Sequence, residues 1–355
     1  MTPCLEPIPD GFGMILACLG DDFATCSNAT EEDFVDAAWT CLADSCSGFP
    51  QYTICEPFAA GDDPCCSWVV FEPGQSCPGR PFLVGDEARV PEPIERGDWA
   101  TRPTGLGAYT SHERDVLGRA WARDGCHEAA SVASFSRFVL QLLALGAPAS
   151  LVGRAQRAIA DELEHASAFF GFASTLRGRP VGPGPLAVEG AMDGQTDPVE
   201  IAVALAKEGC IAETISAMQL AAAAERAEDP MVRATLRSIA DQELEHAELA
   251  WTALAWMLIR AEDPVREAVA AAFAEAATAV PRATSDADGL CARTLRRAGR
   301  LSARERLGVA EGALADIIAP AAAQLMTPWT VTAQPASSGS ASAMPSSRST
   351  MRRAL

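Results

Sequence analysis

Asp161-Glu162-Leu163-Glu164-His165-Ala166 and Gln242-Glu243-Leu244-Glu245-His246-Ala247 are two copies of one pattern. Each copy sits inside a long Ala/Leu-rich stretch with helical period. A helix turns about 100° per residue, so the three-residue step from Glu to His leaves those side chains about 60° apart, one turn along the axis. One carboxylate and one imidazole therefore share a face in each copy. Upstream, Glu128 precedes Glu162 by 34 residues, and Glu213 precedes Glu243 by 30. Four extra residues in the first inter-helix loop, near Ala144–Ala149, bring the halves into alignment. Glu128 then matches Glu213, Ser131 matches Ser216, Glu162 matches Glu243 and His165 matches His246. The chain carries an internal duplication of a helical hairpin.

The helix limits are written in capping residues. Thr110 and Glu113 form a capping box for a first helix running to about Leu145, with Gly118 and Gly125 as candidate kinks. Gly146-Ala147-Pro148 is a stop followed by a start, and the second helix ends at Arg177-Gly178. Asp197-Pro198, Asp229-Pro230 and Asp263-Pro264 repeat one device: Asp caps free amides, and Pro fills the first turn, where its missing N–H costs nothing. They start helices over about 198–227, 230–260 and 264–279. A last helix runs from Ser302, boxed with Glu305, to about Met326. Four helices of about 30 residues, each ~45 Å long, joined by two short loops and one long Pro/Gly connection from Gly178 to Thr196, make the plan of an antiparallel four-helix bundle with one long crossover. The expected fold is all-α, with extra C-terminal helices after the bundle.

Packing two duplicated hairpins about a pseudo-twofold axis gathers Glu128, Glu162, His165, Glu213, Glu243 and His246. Four Glu and two His are the ligand set of a carboxylate-bridged di-iron or di-manganese site. Two divalent cations a few ångströms apart repel each other, and four carboxylates bring such a site near neutrality while some bridge both ions. Oxygen donors with imidazole nitrogen suit Fe and Mn. Asp161 is a candidate acceptor for the far nitrogen of a ligand imidazole.

By these residues, 111–260 resembles the ferritin-like di-metal carboxylate superfamily. It is most similar to stand-alone ferritin-like domain proteins of uncharacterised role, in which Arg179-Pro180-Val181-Gly182-Pro183-Gly184-Pro185-Leu186 follows the second helix. The resemblance implies an antiparallel bundle with two Fe ions (Mn as an alternative) at its centre and chemistry on O₂ or peroxide. It does not imply which activity, and no catalytic residue beyond the ligands is assigned.

A single Glu-Leu-Glu-His on a helix is more often a solvated face. The duplication and the flanking residues speak against that here. Phe135, Phe169, Phe172, Ala250, Met257 and Leu220 share the donor faces, and carboxylates within apolar stripes must be paired or metal-bound. The competing reading is a bundle whose Glu and His pair only with one another. Glu164, Glu245, His112 and His127 are expected on the surface, as is the cluster Arg293, Arg296, Arg297, Arg300, Arg304 and Arg306. Cys126, Cys210 and Trp121 are expected as core.

The chain has 355 residues and a net charge of −19. That acidity and the lack of a basic groove argue against nucleic-acid binding. No uninterrupted apolar run reaches the length of a membrane span, so no transmembrane helix is expected. Residues 1–80 form an acidic segment holding nine of the twelve cysteines, expected to be irregular and disulfide-bonded. Residues 81–110 are a linker with a short strand near 81–84, 111–326 the helical domain, and 327–355 a disordered tail rich in Ser, Ala and Pro. The cysteines suggest an extracytoplasmic location. Met1 to Asp10, with Glu6 and no basic residue, is not a standard secretory signal.

Three functions follow as expectations. The first is a di-iron oxidase or oxygenase that activates O₂ or peroxide to oxidise a small molecule. The second is a ferroxidase or peroxide scavenger, and the third a non-catalytic envelope-associated binding protein. Tyr52 and Tyr109 both precede the helices, so no tyrosyl radical is available inside them, and reducing equivalents must come from an external electron donor. The chain could also form a homo-oligomer.

Overall fold

The computed structural model describes residues 13–19, 49–53, 58–60, 63–72, 80–85, 87–100, 106, 108–193, 196–278, 290 and 292–327, with side chains from Arg80 onward. The expected disulfide framework in 1–80 and the expected tail from 328 lie outside what is described.

The molecule is mostly helical. Helix α1 is Ser111–Ala144 and α2 is Ala149–Arg177. Helix α3 is one unbroken run of Pro198–Ala204, a π-helical stretch Leu205–Glu213, and Thr214–Arg226. Helices α4, Pro230–Leu258, and α5, Asp263–Thr278, follow. Helix α6 is Ala292–Arg297, and α7 runs through Ala303–Ala313, the π-helical Leu314–Ile318 and Ala319–Met326.

Most capping residues act as the sequence indicates; the exception is Asp263, which lies inside α5 as its first residue and not ahead of it. Thr110 and Ser302 form reciprocal capping boxes with Glu113 and Glu305. Asp197 and Asp229 accept from the first-turn amides ahead of their prolines. Gly178 closes α2 at φ +67°, where a Cβ would be strained. Gly118 and Gly125 leave α1 continuous. They are sites of close approach: a Cβ on Gly125 would stand 3.0 Å from the Phe170 ring, and one on Gly118 would stand 2.5 Å from Arg177 Cγ. Helix α6 was not expected, because its six residues are too short to show a period.

An N-terminal segment irregular throughout is not what is found. Strands β1 (Gly13–Leu19), β2 (Phe49–Thr53), β3 (Phe58–Ala60) and β4 (Asp63–Glu72) form an antiparallel sheet in which β1 lies on one edge of β4, and β2 and β3 on the other. The aromatic and β-branched run Trp68-Val69-Val70-Phe71 in β4 has the composition of a strand. Residues 81–110 add the hairpin of β5 (Leu83–Val84) with β6 (Glu87–Ala88), and β7 (Pro93–Ile94), which pairs with β8 (Gly182–Pro183) in the α2–α3 connection.

Helix α1 packs along α2, and α3 along α4, while α2 also meets α4. Two apolar clusters fill the interior. One holds Phe135, Phe138, Leu142, Leu151, Leu205, Leu249 and Leu254. The other holds Trp121, Phe169, Phe170, Phe172, Leu236 and Ile239. On each of α1 to α4 the candidate donors lie between the stretch feeding one cluster and the stretch feeding the other. Four carboxylates and two imidazoles thus form a polar belt across the middle of an apolar interior.

Helix α7 holds the one stretch among the described residues with the length and composition of a membrane span. An 18-residue window within Arg304–Met326 reaches a mean hydropathy of 1.3, a composition shared by membrane spans and by core helices of globular proteins. Counting uninterrupted apolar runs passes over this stretch, because Glu311 and Asp316 divide it. Here one face of α7 rests on α3 and α5.

Candidate metal centre

Six side chains from four helices converge: Glu128 from α1, Glu162 and His165 from α2, Glu213 from α3, and Glu243 and His246 from α4. Glu162, His165, Glu213, Glu243 and His246 are at most 2 % exposed, and Glu128 is 13 % exposed. They divide into two groups. Glu128, Glu162, His165 and Glu243 offer ligand atoms that all lie within 4.8 Å of one another, and so do Glu162, Glu213, Glu243 and His246. Glu162 and Glu243 belong to both groups.

The imidazoles are held from behind. His165 Nε2 lies 3.0 Å from Gln242 Oε1, and His246 Nε2 lies 3.2 Å from Asp161 Oδ2. Both acceptors are oxygens, so each ring carries its proton on Nε2 and directs the Nδ1 lone pair inward when neutral. Inward, His165 Nδ1 stands 3.2 Å from Glu243, 3.5 Å from Glu162 and 3.8 Å from Glu128. His246 Nδ1 stands 3.3 Å from Glu162 and 3.5 Å from Glu243. Asp161 and Gln242 also touch, with Gln242 donating to Asp161 at 3.5 Å.

The inward contacts are close enough for charge attraction and badly directed for hydrogen bonding. Glu162 Oε2, His165 Nδ1, both oxygens of Glu213, Glu243 Oε2 and His246 Nδ1 are buried with no hydrogen-bond partner. Leaving such an atom unsatisfied costs about 1–3 kcal/mol, more when it is charged. Six such atoms within the two donor groups are more than a network serving only to pair Glu with His would leave. Donors of this type, turned inward and unsatisfied, fit divalent cations of the Fe or Mn class.

Burial and the neighbouring Glu162 push the Glu128 carboxyl well above the ordinary carboxylate range, and burial and Glu243 do the same to Glu213. Burial also opposes ionisation of Glu162 and Glu243, but the facing imidazoles outweigh it and hold both below that range. Burial disfavours charge on His165 and His246. Their carboxylate neighbours outweigh it and raise both imidazoles well above the usual histidine value. Together these directions favour protons on His165, His246, Glu128 and Glu213 and ionised carboxylates at Glu162 and Glu243. Two divalent ions carry the same charge as the four protons they would displace.

Helix α3 is specialised at Glu213, which ends the π-helical stretch. Single π-turns inside α-helices recur at functional sites because the wider turn re-aims a side chain. The Thr214 hydroxyl donates to the Cys210 carbonyl at 2.6 Å and accepts from the Trp251 indole at 3.3 Å. Cys210 is a fully buried thiol whose pKa burial raises, and it belongs to neither of the two donor groups. Cys126 is likewise buried, and burial pushes its thiol up to about 12.

Beside the belt, Arg80 is buried. Its Nε donates to the Ser134 hydroxyl at 3.1 Å, and it approaches Glu208 at 3.8 Å. Arg137 reaches Glu208 at 3.5 Å and donates to the Leu83 carbonyl. The Arg80 guanidinium covers the Phe135 and Phe138 rings at 4.8 and 4.6 Å. Residues 80–84 are thereby anchored on α1 and α3.

Sequence reasoning missed Gln242, although the duplication that pairs Glu162 with Glu243 also pairs Asp161 with Gln242. It missed the Arg80–Glu208–Arg137 network, whose only signal is a Glu inside the apolar stretch of α3. It misplaced Arg300, which is 3 % exposed and bonded to Asp124 at 2.6 Å, not solvated. Glu164 and Glu245 are exposed. No family model, curated protein or solved structure matches this chain.

Proposed function

We propose that α1 to α4 form a ferritin-like four-helix bundle whose polar belt holds a di-metal centre, two iron ions or manganese in their place, and that the protein uses it to oxidise a small molecule with O₂ or peroxide. The observation that carries this reading is the pair of four-donor groups sharing Glu162 and Glu243. Shared carboxylates are what two adjacent cations require. When bound, such a metal pair supplies electrons to O₂ or peroxide at a water-poor site.

The chain's own part is positional. Glu162 and Glu243 are placed between the two groups and neutralise both. Glu128 with His165, and Glu213 with His246, complete one group each. Gln242 and Asp161 fix the imidazole tautomers and ring planes. Phe135, whose ring centroid is 5.0 Å from that of His246, and Phe169 keep the surroundings apolar. That raises the strength of every charge interaction inside.

The test is anaerobic loading with Fe(II), elemental analysis, and then exposure to O₂ or peroxide with and without candidate small molecules. Two ions per chain, with oxidant consumption that accelerates on adding an organic substrate, is the expected outcome. Rapid consumption with iron or peroxide alone would favour a ferroxidase or scavenging role. Absence of bound metal would contradict the reading.

A further inference from the structure

Glu208 precedes Glu213 by five residues on α3. On an ordinary α-helix that step would leave the two side chains about 140° apart. Both residues lie in the π-helical stretch Leu205–Glu213, and a π-turn closes on the fifth residue, so the two carboxylates stand one turn apart. Glu213 enters the belt. Glu208 is held by two arginines, with Arg80 Nε 3.8 Å and Arg137 Nη2 3.5 Å from its carboxylate. All three side chains are at most 5 % exposed. Burial raises the Glu208 carboxyl, and Arg80, Arg137 and Ser134 oppose that rise.

Arg80 is itself fixed. Its Nε donates to Ser134 Oγ at 3.1 Å, and its carbonyl accepts from Ser131 Oγ at 2.9 Å. Phe82, two residues on, is buried with the Arg137 guanidinium 5.2 Å over its ring. The Arg80 guanidinium lies 4.8 Å from the Phe135 centroid, and the Phe135 ring stands 5.0 Å from that of His246. Arg80 therefore reaches both unshared donors of one group. It reaches Glu213 through Glu208 and the π-turn, and His246 through Phe135. Ser131 and Ser134 belong to α1, the helix of Glu128, but α1 is a regular α-helix and aims Glu128 without this support.

We propose that Arg80 is a positioning residue for the group of Glu213 and His246: it locks Glu208, and the locked π-turn aims Glu213 into the belt. A segment ahead of the helices thereby sets the affinity of one metal position. The inference rests on the di-metal reading for what Glu213 and His246 hold. The locking of the π-turn does not depend on it. A positioning role and a charge role differ in sign. A guanidinium beside the belt repels cations, so losing its charge alone would tighten metal binding. Losing a positioning contact weakens it.

The full chain is titrated with Mn(II) by calorimetry, with manganese content and electron paramagnetic resonance read on the same samples. Wild type should bind two ions and give the spectrum of a coupled pair. Arg80→Met should weaken one of the two ions about tenfold or more and give the signal of isolated Mn(II). Arg137 remains there to pair Glu208, so no buried carboxylate is stranded. Arg80→Lys, which keeps the charge, should recover part of the loss. Leu236→Ala, a truncation in the other apolar cluster, should lower the melting temperature with both affinities unchanged. Hydrogen exchange of the metal-free chain reads the turn itself. Amides of Leu205–Glu213 should exchange several-fold faster in Arg80→Met, with those around Glu162 unchanged. If Arg80→Met does not fold, Arg80→Lys against wild type carries the same comparison with smaller effects. Unchanged or tighter binding of both ions in Arg80→Met, the same selective loss from Leu236→Ala, or faster exchange spread evenly over α1 to α4 overturns the proposal. No manganese uptake by wild type would count against the di-metal reading alone, because the exchange comparison still reads the turn.

Discussion

The two hairpins supply the same donors from different surroundings. In the first, Glu128 stands on a regular α-helix and borders a cavity. In the second, Glu213 ends a π-helical stretch and is fully buried. The imidazole of the first hairpin is backed by the neutral amide of Gln242, and that of the second by the carboxylate of Asp161. The donor set is nearly symmetric, while its support is not. A duplicated scaffold thus repeats its donors and still makes one group the more open.

The largest expected effect separates shared from unshared donors. Glu162→Ala or Glu243→Ala should lose both metal ions with helicity retained, whereas Glu128→Ala should lose one. Elemental analysis with circular dichroism checks this. Equal losses from all three would erase the distinction between bridging and terminal positions.

The next effect is a pH dependence. On the di-metal reading, metal competes with protons at Glu128, Glu213, His165 and His246, whose folded pKa values are all raised. Metal affinity should therefore fall as pH falls. The metal-free fold should behave in the opposite sense. Groups with raised folded pKa values contribute stability below their unfolded values, and that contribution is lost as pH rises through the folded values. Calorimetry in buffers of different ionisation enthalpy reads the proton release, and thermal melts of the metal-free and loaded forms read the opposed slopes.

The backing residues sharpen the asymmetry. Removing an outer hydrogen-bond partner typically costs about 10–100-fold in metal affinity. A charged acceptor makes the stronger bond, so Asp161→Ala should cost more than Gln242→Ala. Stepwise metal titration distinguishes them. Equal losses would show that the backing charge does not differentiate the sites.

The smallest effect concerns packing. A Cβ on Gly209, in the π-helical stretch, would stand 2.6 Å from Ala250 Cβ, against 3.0 Å from the Phe170 ring for Gly125 on α1. Gly209→Ala should destabilise by about 1–3 kcal/mol in denaturant unfolding, and Gly125→Ala by less.

Much of this was legible in the sequence because it is local. Caps and prolines act within one turn, so the limits of α1 to α4 could be read from Thr110, Asp197, Asp229 and Gly178. The donors were legible because duplication turns two weak patterns into one strong coincidence. The π-helical stretch was not, since Gly209 is the one weak helix former in Leu205–Glu213 and a lone Gly does not specify a π-turn. Across it, Gly209 approaches Ala250 of α4, and Trp251 bonds Thr214 at its end. The burial of Arg300 was hidden for a similar reason. Six arginines in fourteen residues read as a solvated face, and only the meeting of the α6–α7 connection with Asp124 and Trp121 draws one of them inward. Strands β1 to β4 were obscured by the dense Cys, Pro and Gly around them.

The most direct test is anomalous diffraction at the iron edge from iron-loaded crystals. Two peaks are expected, one between Glu128 and His165, the other between Glu213 and His246, with Glu162 and Glu243 reaching both. No peak within the belt, or full metal occupancy at a place that touches none of these six residues, would contradict a di-metal centre built by the duplicated hairpin.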